Sequence, residues 1–123
     1  MQVHTEVTIS AAHHLPNYKG KCATKHGHNW KVEVLAEGEV DKKTGMVVDF
    51  SELKAIVNEL DHTNLNKKIR NPTAENIVKY LLHRFAKKYP NIFFDIKVWE
   101  SDKSWANDYY RREFRIRKSL IIK

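Results

Sequence analysis

A length of 123 residues suffices for one domain with its own hydrophobic core, and the single cysteine, Cys22, excludes a disulfide framework within the chain. The formal charge of +7 favours an anionic partner without choosing between nucleic acid, an acidic surface and a phosphorylated small molecule. No apolar run approaches the ~20 residues of a membrane span and Met1-Gln2-Val3-His4 lacks the plan of a secretion signal, so one soluble, cytoplasmic domain over 1–123 is expected.

Val3, Thr5, Val7, Ile9 and Ala11 alternate with His4, Glu6, Thr8 and Ser10, the period of a half-buried strand. A second strand begins near His28, where Trp30, Val32, Val34 and Ala36 alternate with Lys31, Glu33, Leu35 and Glu37, and antiparallel pairing with the first is expected. The segment between them, Leu15 to Lys25, carries Pro16, Gly20 and Cys22. After the turn signal Asp41-Lys42-Lys43-Thr44-Gly45, Asp49 is expected to cap a helix, with Glu52 closing a capping box and Phe50, Leu53, Ile56, Val57 and Leu60 forming its apolar stripe.

Thr73 caps a second helix that carries Ile77, Val78, Leu81, Leu82, Phe85 and Tyr89 at helical spacing and stops at Pro90. Ile92, Phe94, Ile96 and Val98 give a third strand, and Phe114, Ile116, Lys118, Leu120 and Ile122 suggest a fourth. The order ββααββ predicts an α+β domain, a four-stranded antiparallel sheet with two helices on one face. Its outer strands favour oligomerisation through sheet edges.

His13, His26 and His28 read as a catalytic zinc site, because such sites commonly take three protein ligands and imidazole is a preferred donor. His26 and His28 lie two apart on a strand and so share a face; His13 comes from a neighbouring segment, with His14 able to exchange roles if the chain bends at Leu15-Pro16. Cys22, beside Lys21 and Lys25 and near a dication, is expected to have a thiol pKa below its reference of about 8.5. It reads as a proton-transfer group, with metal ligation as the alternative.

Asp61-His62 follows the first helix and reads as an acid–base pair, or else as a capping histidine beside a solvated aspartate. Glu100 continues the apolar face of Ile96 and Val98; it is either an exposed strand end or a carboxylate for two parallel N–H groups, such as the ring edge of a pterin or guanine. Arg111, Arg112, Arg115, Arg117, Lys118 and Lys123 read as a solvated face.

Six segments carry a family resemblance: Ile9-Ser10-Ala11-Ala12-His13-His14-Leu15, Cys22-Ala23-Thr24-Lys25-His26-Gly27-His28-Asn29-Trp30, Gly45-Met46-Val47-Val48-Asp49-Phe50, Leu60-Asp61-His62-Thr63-Asn64-Leu65-Asn66, Pro72-Thr73-Ala74-Glu75-Asn76 and Trp99-Glu100-Ser101. Over nearly its whole length the chain resembles the 6-pyruvoyl- and 6-carboxy-tetrahydropterin synthases. The resemblance implies the tunnelling fold, in which sheets of three subunits close into a barrel and two trimers stack as a hexamer. It assigns zinc to His13, His26 and His28, the proton-abstracting thiolate to Cys22, a second catalytic pair reaching in from a neighbouring subunit to Asp61 and His62, and pterin anchoring to Glu100.

The implied substrate is 7,8-dihydroneopterin triphosphate, and no external redox cofactor is implied. Three residues between Cys22 and His26 resemble the 6-carboxy branch of queuosine and deazapurine biosynthesis, whose reaction releases acetaldehyde and triphosphate. The alternative is the 6-pyruvoyl reaction on the same site. A more distant one is a basic nucleic-acid-binding module with structural zinc, but structural sites are usually cysteine-rich and no recognition motif is visible. His14 stands where the family pattern leads one to expect Arg or Lys, and Trp105 to Arg112 matches no pattern of the family.

Overall fold

The structure is a computed structural model that describes residues 1–16, 18–20 and 24–110. The two long strands, β1 (Gln2–His13) and β2 (His26–Glu37), pair antiparallel along their whole length, from Gln2 opposite Glu37 to His13 opposite His26. Their alternation divides the sheet cleanly. Ile9 and Ala11 of β1 and Trp30, Val32, Val34 and Ala36 of β2 are buried on one face, while Ser10 and Asn29 are exposed on the other.

Helix α1 (Phe50–Asn58) and helix α2 (Ala74–Lys88) cover the buried face, α1 against β1 and α2 against β4 (Phe93–Ser101) and β5 (Ser104–Tyr110). Leu53, Ile56, Val57 and Leu60 enter the core from the first helical segment, whereas Phe50, expected in the same stripe, stands 44% exposed. From α2 come Ile77, Val78, Leu81, Leu82 and Phe85, and the Phe85 ring stacks on Phe94 of β4 at 5.0 Å. Among the described residues no helix is long and apolar enough to cross a membrane.

Local chemistry sets the helix ends. Asp49 accepts the backbone N–H of Ser51 at 2.8 Å, and Glu52, expected to close a capping box, instead has its carboxylate 3.7 Å from Lys88 Nζ. Thr73 caps α2 by accepting the Asn76 N–H at 3.1 Å. In the turn before α1, Asp41 accepts the N–H groups of Lys43 and Thr44, and Gly45 sits at φ +73°, a conformation costly for any residue with a Cβ.

The α+β arrangement with both helices on one face is as expected, but the sheet has five strands among the described residues, in the order β3-β1-β2-β4-β5. The addition is β3 (Thr63–Asn64), two residues running parallel to Ala11–Ala12 of β1. On its outer side β4 pairs with β5, in a segment that matched no expected pattern; the strand expected over Phe114–Ile122 and the basic residues from Arg111 onward lie outside the described residues.

Candidate metal centre and catalytic cleft

The buried row of β2 does not stop at Trp30. Its next members toward the strand's start are His28 and His26, and the corresponding row of β1, Ile9 and Ala11, ends in His13, which is fully buried. Because His13 and His26 are register partners, three imidazoles meet at one end of the core. Their ring centroids lie 4.5 to 5.0 Å apart, and the rings of His13 and His28 are each edge-on to Trp30.

Backbone carbonyls fix two of the tautomers. A carbonyl oxygen can only accept, so His13 Nδ1, 2.7 Å from the Pro72 oxygen, must carry a proton, and so must His26 Nδ1, 2.7 Å from the Thr24 oxygen. Their Nε2 lone pairs then face each other at 3.0 Å, an arrangement that needs a cation or an extra proton between them. Burial, and secondarily the neighbouring imidazoles, lowers the His13 pKa against the opposing pull of the Pro72 bond, so an extra proton is disfavoured there.

His28 is likewise held below its ordinary value, first by burial, with Glu100 opposing. Its Nε2 is buried without a hydrogen bond among the described residues; the Glu100 carboxylate, at 3.6 Å, is beyond bonding reach. Neutral imidazoles, two orientations fixed by carbonyls and one orphaned nitrogen are what a divalent metal of zinc's preferences requires. The three ligand atoms lie within 4.8 Å of one another, and the 3.0 Å contact is close to the ~3.3 Å between two donors on a tetrahedral zinc. The residues fit the ion.

Asp61 and His62 do not join this cluster. Helix α1 ends at Asn58, so His62 lies past its C-terminus rather than capping it, and the pair instead docks on the edge of β1. Ser10 donates its N–H to Asp61 Oδ1 at 2.8 Å and accepts the His62 N–H at 2.6 Å. His62 is in the left-handed region, at φ +56°, with Nδ1 3.0 Å from Asp61 Oδ2 and a side chain that is 82% exposed. The Asp61 carboxyl is held below the usual range, chiefly by the Ser10 N–H.

An open cleft of about 650 Å³ has both His28 and His62 in its lining, together with Ser10, Gly27, Asn29, Lys25 and Lys67. Glu100 stands at the end of the core-facing row of β4, beside His28. Cys22 lies outside the described residues. His14 is turned away from the cluster, its backbone N–H and C=O both bonded to the side-chain amide of the buried Asn66.

Sequence reasoning missed the supports. The carbonyls of Pro72 and Thr24 orient two imidazoles, and Asn76 Nδ2 donates to the Asn71 oxygen at 2.8 Å, holding the loop that presents Pro72. Backbone acceptors leave no residue-type signal; only the cap chemistry of Thr73 pointed to this loop.

Fold and cluster together define a small two-layer α+β protein with a candidate metal centre at one end of its sheet. The chain belongs to the 6-pyruvoyl tetrahydropterin synthase family, whose model matches residues 2–112. It is 44% identical over 110 residues to an Archaeoglobus fulgidus protein provisionally named 6-carboxy-5,6,7,8-tetrahydropterin synthase, covering 86% of this chain and 93% of that one. It is 42% identical over 87 residues to the dihydroneopterin monophosphate aldolase of Pyrococcus furiosus, over 63% of this chain and 72% of the relative. The solved 6-pyruvoyl tetrahydropterin synthase of Caenorhabditis elegans superposes with a TM-score of 0.73 at 25% identity, covering 90% of this chain and 96% of that one.

Proposed function

We propose that this protein is a zinc-dependent 6-carboxy-5,6,7,8-tetrahydropterin synthase, a lyase converting 7,8-dihydroneopterin triphosphate and water to 6-carboxy-tetrahydropterin, acetaldehyde and triphosphate. It acts in the cytoplasm as a homo-oligomer, a trimer or hexamer, and serves queuosine and deazapurine biosynthesis. The observation that carries the reading is the imidazole cluster whose two fixed tautomers turn bare Nε2 lone pairs toward each other beside an open cleft. The Archaeoglobus relative and the three-residue spacing between Cys22 and His26 favour the 6-carboxy branch.

His13, His26 and His28 would hold zinc through Nε2, and the ion would supply Lewis-acid stabilisation of charge developing on a substrate oxygen. Cys22 takes the proton from the substrate carbon. His62, its Nδ1 engaged by Asp61, has Nε2 available to return or relay a proton at the site of a neighbouring subunit. The two oxygens of Glu100 accept parallel N–H bonds from the amidine edge of the pterin and fix its orientation.

The test is product identification after incubating zinc-loaded protein with 7,8-dihydroneopterin triphosphate. Acetaldehyde together with a 6-carboxy-pterin is expected. A pyruvoyl product without acetaldehyde transfers the protein to the sister reaction, a two-carbon fragment still carrying phosphate transfers it to the aldolase class of the Pyrococcus relative, and no turnover refutes the enzymatic reading.

A further inference from the structure

We infer that Asn66 is a positioning residue of the metal centre: by gripping both backbone groups of His14 it fixes the end of β1, and with it the ligand His13, against His26. This rests on the reading of the three histidines as a metal site, and it holds whichever reaction follows there. His13 and His26 are the terminal pair of the β1–β2 ladder, where the chain leaves the sheet and returns to it. Strand ends open more readily than strand centres, so a metal ligand in the last ladder position needs a tie beyond its own pairing.

Asn66 supplies that tie from a third segment. Its Oδ1 accepts the His14 N–H at 2.8 Å and its Nδ2 donates to the His14 carbonyl at 2.9 Å. A peptide N–H can only donate and a carbonyl can only accept, so this amide orientation is the one that satisfies both. The grip is firmly mounted. Asn66 is buried in the 3₁₀ turn Leu65–Lys67, Leu65 and Ile69 are fully buried, and the Asn64 side chain accepts the Asn66 N–H at 3.2 Å. Just before this turn, Thr63 and Asn64 pair with Ala11 and Ala12 of β1. One continuous segment therefore holds the chain before and after His13, while the Pro72 carbonyl holds its ring.

A buried asparagine that satisfies two backbone groups also stabilises the fold, so stability and metal geometry are measured apart. Cobalt(II), whose visible absorption reports its coordination geometry, is titrated into metal-free wild type, Asn66→Ala, Asn66→Asp and Phe85→Leu, and each metal-free protein is unfolded thermally. Phe85 stacks on Phe94 in the core between α2 and β4, and its truncation lowers stability away from the histidines. Asn66→Ala is expected to weaken cobalt binding roughly tenfold, the low end for groups that support a metal's ligands, and to change the spectrum of the bound ion. Phe85→Leu is expected to lower Tm with affinity and spectrum unchanged. Asn66→Asp keeps an acceptor for the His14 N–H and loses the donor to its carbonyl; it should show a smaller change of the same kind, and it carries the test if the alanine variant does not fold.

Wild-type affinity and spectrum in the Asn66 variants, or an equal loss in Phe85→Leu, overturns the assignment. Wild-type protein that takes up no cobalt refutes the metal centre and this role of Asn66 with it. If cobalt binding depends on Asn66 yet the pterin triphosphate is not turned over by the zinc-loaded protein, the role of Asn66 stands and the proposed reaction falls.

Discussion

Replacing Thr73 by alanine separates the stability of α2 from the competence of the metal centre. Thr73 Oγ1 accepts the Asn76 N–H at 3.1 Å, and the residue before it presents the carbonyl that fixes His13. Losing the cap costs about 1 kcal/mol, within a range of roughly 0.5 to 2. For a domain of this size that lowers Tm by roughly 3 to 6 °C. Asn76 still donates to the Asn71 oxygen, so the loop is loosened rather than released. Zinc affinity should therefore fall by less than the ~10- to 100-fold that removal of a metal ligand's own hydrogen-bond partner brings. Thermal unfolding of metal-free protein gives the first quantity and competition with a chromophoric chelator the second. Thr73→Ser should restore both. A lowered Tm with unchanged zinc affinity would refute the idea that this loop orients His13.

Cys22→Ala is expected to retain zinc and lose turnover, while His26→Ala loses the metal as well; elemental analysis beside the acetaldehyde assay separates them, and a zinc-free Cys22→Ala protein would make the cysteine a ligand. Mixing Cys22→Ala and His62→Ala subunits should restore activity to about one quarter of wild type, the share of sites that random assembly completes if a neighbour supplies His62; no recovery places both groups in one protomer's cleft. Asp61→Asn should destabilise the protein near neutrality and converge with wild type in strong acid. The sign follows because the folded carboxyl lies below the unfolded value of about 3.9, so its contribution is present above that value and lost as pH falls through the lower folded one. Urea unfolding across this range checks it, and a gap that persists in strong acid contradicts it. Trp99→Phe should raise the Glu33 pKa, because the indole N–H at 2.7 Å is the main cause holding it down; a carboxyl-carbon NMR titration that shows no change would reject that cause.

The parts that were legible in sequence are those where burial follows a simple period. β1, β2 and β4 each place apolar residues at every second position, and α2 combines helical spacing with a hydroxyl cap, so pattern and structure coincide. β5 was illegible for a physical reason. Its half-buried row contains Ala106 and Asp108 while Trp105 and Tyr109 stand about half exposed, so the alternation that marks a strand is inverted. β3 exists because Asp61 and His62 bracket Ser10, a tertiary contact that two residues of sequence cannot announce. The histidines were readable as a set, since His26 and His28 share a strand face, but the tautomers were not.

The same alternation accounts for both the core and the site. Along β2 the buried row runs Ala36, Val34, Val32 and Trp30, then continues as His28 and His26, so the histidines inherit core-facing positions without any special backbone. Burial at such positions penalises the imidazolium, which explains the direction of the His13 and His28 shifts and leaves these rings in the neutral form that a metal needs. Trp30, fully buried and edge-on to two of the rings, bounds the apolar side. Gly27, between the two histidines but on the opposite face, leaves the cleft side open. A strand that is apolar on one side and small or polar on the other thus places imidazoles that could hold a metal ion beside an open cleft.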